Sequence, residues 1–276
     1  MRLIFTYMAA VLMLFSIPPT SHAANEGGGG AVVLSTTLLT IGERERTASI
    51  SVTNRTNEAQ SYRVSIIDMV MNETGQVTRC DAETPSLHNS ASKWIIATPS
   101  SIHLAPGKGQ KIRLLIRRPK DLEAGEYRAH LLVSQQPPAD IAGGLQEASK
   151  DNGLQINIVT VYSTSVPIIV PHGETNSTAS VQKTQIINDG KSLEITVNRE
   201  GNASFRGFFR VKSNDAPPQY LPLTIYPESD QVTVTYELNS LIDVNKPITL
   251  SLFKGVIPDE DVEVATAPLT TMTLNM

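Results

Sequence analysis

Short segments that alternate apolar with polar residues, each closed by a turn signal, recur along this 276-residue chain. That rhythm leaves room for an all-β fold and little else. Residues 111–117 show it most cleanly. Ile112, Leu114 and Ile116 point one way, while Lys111, Arg113 and Arg117 point the other, as the two-residue period of a strand requires. Residues 47–53 (TASISVT) alternate in the same way before the turn residues Asn54-Arg55-Thr56-Asn57. Further β-rich stretches occupy 32–41, 61–71, 92–97, 125–134 and 154–170. A second set covers 192–198, 204–212, 220–226, 231–238, 247–254 and 262–274. Strands at this spacing, with little helical periodicity, predict an all-β sandwich or barrel, and the length fits two sandwiches. The break between them falls at Pro171-His172-Gly173, giving a first domain over 31–171 and a second over 172–276.

The chain start carries a different signal. Arg2 precedes an apolar run over 3–17, followed by Pro18-Pro19 and the small-residue ending Ser21-His22-Ala23. This is the pattern of a secretory signal peptide, with cleavage expected after Ala23. The run is short for a membrane anchor, since about fifteen helical residues cover only ~22 Å of a ~30 Å hydrocarbon core. Residues 24–30, with Gly27 to Gly30, then form a flexible lead-in. The mature protein is expected outside the cytoplasm, with no stable membrane insertion. Cys80 is the only cysteine, so both domains must be held by burial without an internal disulfide.

Composition excludes several functions. The net charge is −4 with acids and bases interspersed, which provides no basic field for nucleic acid. One tryptophan among 5 % aromatics makes no base-stacking surface. No Gly-x-Ser-x-Gly elbow, phosphate loop or His-Glu-x-x-His pair occurs, so no enzyme activity, nucleotide or other cofactor is expected. His88, His103, His130 and His172 are scattered without metal-ligand spacing. Asp259, Glu260, Asp261 and Glu263 form the densest acidic cluster, but no glycine-centred ligand loop accompanies them, and a solvated loop is the simpler reading. Four Asn-x-Ser/Thr sequons begin at Asn54, Asn72, Asn176 and Asn202. They matter only where a glycosylation pathway exists.

One stretch stands apart. Residues 154–171 (LQINIVTVYSTSVPIIVP) contain no charge. Leu154, Ile156 and Ile158 alternate with polar neighbours, and a phase shift then makes Val159 and Val161 available to a face. A long uncharged strand is a hazard at a sheet edge, because it templates pairing with another chain. Pro167 has no amide donor and argues against a central position along the whole strand. Two readings follow: a strand buried within its own sandwich, or an edge strand intended for a partner.

The phrases GEYRAHLLVSQQPP (125–138) and SVPIIVPHG (165–173), together with SISVTN (49–54), PSSIHLAPG (99–107) and the 111–115 strand with Arg113, resemble the periplasmic chaperones of pilus assembly, the PapD-like superfamily, in a divergent branch. The resemblance runs through most of the first domain and is faint in the second. It implies two immunoglobulin-like β-sandwich domains and a periplasmic chaperone that binds pilus or fimbrial subunits by donating a β-strand, with an outer-membrane usher as a further partner and neither nucleotide nor metal. The subunit-binding residues would then be Leu154, Ile156, Ile158, Val159 and Val161, and Glu126 would be an interdomain residue. The sequence departs from the family where a subunit's terminal carboxylate is anchored. The arginine position reads Leu38 and the lysine position Ser163 or Val166. The arginine expected opposite Glu126 aligns with Val170. The alternative is an exported immunoglobulin-like binding or structural protein without chaperone activity.

Overall fold

The computed structural model describes residues 32–80, 87–137, 160–213, 216–258 and 266–274. The signal-peptide and lead-in segments, and the acidic cluster at 259–263, lie outside them. The first half contributes β1 (Val32–Leu34), β2 (Leu39–Thr40), β3 (Thr47–Asn54), β4 (Gln60–Ile67), β5 (Met69–Met71), β6 (Val77–Arg79), a 3-10 turn at Ser92–Trp94, β7 (Ile95–Thr98), β8 (Ser101–Leu104), β9 (Gly109–Ile116), β10 (Gly125–Gln135) and β11 (Ser163–His172). The second half contributes β12 (Ser177–Ile187), β13 (Ser192–Gly201), β14 (Phe205–Ser213), β15 (Gln219–Ile225), β16 (Gln231–Glu237), β17 (Ile248–Lys254) and β18 (Thr270–Leu274).

These strands build two immunoglobulin-like sandwiches. In the first, a sheet ordered β1-β3-β9-β7 faces one ordered β2-β11-β10-β4-β8. In the second, β12-β13-β16 faces β15-β14-β17-β18. The strand period places each core. Ile50 and Val52 of β3, Ile112, Leu114 and Ile116 of β9, Leu131 and Val133 of β10, and Val166, Ile168 and Val170 of β11 are all buried in the first core. Leu193, Ile195 and Val197 of β13 and Phe205, Phe209 and Val211 of β14 fill the second. Lys111, Arg113 and Arg117 are exposed, on the opposite face of β9. At the first sequon, Asn54 is fully buried. Its amide donates to the Leu104 carbonyl at 3.0 Å, and its oxygen accepts the Tyr62 hydroxyl at 3.1 Å.

Three expected strands prove to be composite. The 32–41 segment is split between sheets, β1 pairing antiparallel with β3 and β2 pairing parallel with β11. Between them the Thr36 hydroxyl donates to the Leu38 carbonyl at 2.6 Å and accepts the Leu38 amide at 3.3 Å. Such local side-chain bonds compete with a ladder and let the chain cross over. The 61–71 segment breaks at Asp68, whose carboxylate accepts the hydroxyls of Ser90 at 2.8 Å and Ser92 at 3.0 Å. Beyond it β5 leaves the sandwich and pairs with β6 in a separate two-stranded sheet. In the 92–97 segment the 3-10 turn takes the first half, and the strand starts at Ile95.

Candidate functional site: the outer edge of β11 and the domain junction

β11 lies between β10 and β2 but is unequally covered. β10 pairs with it from Ser134↔Ser163 to Gly125↔His172. β2 reaches only Ile168 and Ile169. The Ile41 amide donates to the Ile169 carbonyl at 2.8 Å, while the Gln135 amide donates inward to the Tyr162 carbonyl at 2.9 Å. Odd-numbered residues therefore direct their backbone groups away from β10. Among the described residues, nothing pairs with the outward groups of Ser163 and Ser165, whereas the parallel register Ile168↔Leu39 takes up the Pro167 carbonyl. Pro167 puts its missing donor on this open side, where a proline costs the ladder nothing.

Of the residues expected to bind a subunit, Leu154, Ile156, Ile158 and Val159 lie outside the described residues. Val161 is 48 % exposed and Tyr162 53 % exposed, both just before β11 begins. Within the described residues, the ladder with β10 starts at Ser163. The positions aligned with the expected cations are uncharged. Val166 is buried in the first core, Ser163 bonds the Ser134 hydroxyl at 2.9 Å, and Leu38 packs against the second core.

Charge is concentrated instead on the far face of β10. Tyr127, Ala129, Leu131 and Val133 face the first core, so Glu126, Arg128 and His130 share the opposite face, turned toward the second sandwich. Glu126 is 8 % exposed. Its carboxylate accepts the Ser204 amide at 3.2 Å and the Ser204 hydroxyl, and its own amide donates to the Asn202 carbonyl at 2.9 Å. Its contact is thus with Ser204, while Val170 is buried in the first core. Arg128 is fully buried. Its Nη2 donates to the Met69 carbonyl at 2.7 Å and to the Glu228 carboxylate, and its guanidinium lies 3.8 Å over the Tyr226 ring. His130 meets the edge of the same ring at 6.5 Å. Burial, helped by the Arg128 charge, pushes the imidazole down to about 3, so it is neutral at ordinary pH. Burial also pushes the Tyr226 phenol up. Arg128, Glu228, Tyr226 and Ser204 escaped the sequence reading. The signal was the run Glu126-Tyr127-Arg128-Ala129-His130, whose charged and polar residues fall on one side of a strand with an apolar other side.

Among the described residues no cluster of His, Cys, Asp and Glu could hold a metal ion, and no helix is long and apolar enough to cross a membrane. His88 and His103 are exposed, and His172 faces Glu43 at 3.4 Å.

The family model "Pili and flagellar-assembly chaperone, PapD N-terminal domain" matches residues 31–170, just over half of the chain. The chain belongs to this family. No curated protein matches. Among solved structures, this PapD-family chain is similar to a chaperone–tip adhesin complex of CFA/I fimbriae, at 14 % identity over 88 % of this chain and 97 % of that one, with a TM-score of 0.44. It is also similar to the YadV chaperone (12 %, 88 % and 100 %, TM-score 0.47) and to the E. coli chaperone DraB (12 %, 90 % and 97 %, TM-score 0.45).

Proposed function

We propose that this protein is a non-catalytic periplasmic chaperone that holds pilus subunits by lending them the segment leading into β11. The observation that supports this reading is the open outer edge at Ser163 and Ser165, adjoining a charge-free run in a family of assembly chaperones. A subunit strand added there would gain main-chain hydrogen bonds from the outward groups. Leu154, Ile156, Ile158, Val159 and Val161 would supply the apolar contacts. At ~1.5–3 kcal/mol for each buried side chain, four or five of them outweigh the ordering of one strand. Export by a cleaved signal peptide puts the protein where such subunits await assembly, with an outer-membrane usher as the next partner.

Co-expression with a pilus subunit, followed by purification, tests the reading. The subunit should be recovered only together with this protein. Ile156→Asp or Ile158→Asp should abolish the complex while leaving the melting temperature unchanged. A complex that survives both charges would rule out lending from this segment. A second reading, an exported immunoglobulin-like binding or structural protein without chaperone activity, draws on the uncharged Leu38, Ser163 and Val166. It expects no subunit to be retained at all.

A further inference from the structure

The strand β16 is an unusually adhesive edge. It borders the sheet β12-β13-β16, and its sequence Gln231-Val-Thr-Val-Thr-Tyr-Glu237 has no charge before the last residue, no proline and no glycine. A run of β-branched and aromatic residues with low charge is the composition that pairs with copies of itself, and sheet edges are ordinarily defended against it. Three other edges of this molecule are defended. β12 carries Lys183 and a register shift beside it, β15 carries Pro222, and β1 has only three residues. Nothing within β16 serves that purpose.

The defence comes from the other sandwich. The Arg199 amide donates to the Asp230 carbonyl and the Leu238 amide to the Lys191 carbonyl, so even-numbered residues bond β13 and Gln231, Thr233, Thr235 and Glu237 turn their backbones outward. The Thr233 amide donates at 2.7 Å to the Glu73 carbonyl, at the tip of the β5–β6 hairpin. At the far end, the Gln219 side chain donates to the Glu237 carbonyl at 2.8 Å. The hairpin is firmly seated. Met71 and Val77 pack in the second core, the Met71 amide donates to Glu228 at 3.1 Å, and the Ser229 hydroxyl donates to the Met71 carbonyl at 3.1 Å. Gly75 has φ +76° and lies so close to Val234 that a Cβ there would stand 2.9 Å from its Cγ1. The tip is shaped by the Asn72 side-chain oxygen, which accepts the Thr74 and Gln76 amides.

We propose that the β5–β6 hairpin guards β16, closing an edge that would otherwise pair with the same edge of a second copy of this chain. The inference is independent of strand lending at β11. To test it, residues 72–76 are replaced by Asn-Gly, a two-residue hairpin turn, in the otherwise complete protein. Molar mass is then measured by light scattering across concentrations. The shortened protein should double in mass at concentrations where the parent does not. Adding Thr233→Pro, which removes the outward donor and blocks the edge with its ring, should return it to the parent's mass. The proposal is overturned if the shortened protein keeps the parent's mass. It is equally overturned if association or misfolding persists once Thr233→Pro is added, because the contact then lies elsewhere.

Discussion

His130 and Arg128 occupy the same buried face of β10, and the arrangement stores both their chemistries in opposite ways. The arginine keeps a carboxylate, a carbonyl and an aromatic ring around its charge, whereas the histidine is kept neutral because protonation there would set a second cation beside the first. A stability profile follows. Unfolded, His130 titrates near 6.5; folded, it titrates at about 3. Between those values the unfolded chain binds a proton that the folded chain refuses. The contribution is therefore fully present above pH 6.5 and is lost as pH falls toward 3, by up to ~1.4 kcal/mol per pH unit. Arg128, Tyr226, Pro167 and Ile67 border the ring from its own and neighbouring elements. His130→Leu should flatten the acid limb of the urea-denaturation midpoint between pH 6.5 and 4, relative to the parent. Parallel profiles for the two proteins would contradict the assignment.

At the scale of elements, β11 illustrates what a sequence can and cannot reveal. Its lack of charge and its proline were legible, because both are properties of residue type. Its unequal coverage was not, because the neighbour on that side is β2, two residues long and produced by a crossover at Thr36 that no hydrophobic pattern announces. β9 was legible throughout, since one face is buried and the other solvated, and the alternation follows directly. The split of 61–71 was hidden for the same reason as the crossover: Asp68 finds its partners in Ser90 and Ser92, about 20 residues away in sequence. The parity of β11 makes a sharp contrast between adjacent positions. Ser165 directs its amide outward and Thr164 directs its amide toward β10. Ser165→Pro should leave the melting temperature nearly unchanged yet abolish subunit retention, while Thr164→Pro should lower the melting temperature by removing a ladder bond. If both substitutions destabilise equally, the outer edge of β11 is not open in solution.

For the whole molecule, two sandwiches were readable from length and strand spacing, but their mutual packing was not. The junction is built from Glu126 on Ser204, Arg128 on Glu228 and a hairpin whose side chains enter the second core. Each is a contact between residues roughly 80 to 160 positions apart, and no local pattern encodes such pairs. Carboxylates left without water contribute through their specific partners, so removal of those partners should uncouple the two halves more than it weakens either core. The single tryptophan offers a direct readout. Trp94 packs on the first core with its ring centroid 4.8 Å from Tyr127, and its fluorescence reports the first sandwich alone, whereas far-ultraviolet circular dichroism reports both. In the parent protein the two thermal transitions should coincide, as one cooperative unit requires. With Ser204→Ala and Glu228→Ala combined, the transitions should separate, because each core remains complete while the side-chain partners of Glu126 and Arg128 across the junction are gone. Coincident curves in that variant would mean that the apolar hairpin contacts of Met71 and Val77 couple the sandwiches by themselves, with the buried charges serving only to fix their relative orientation.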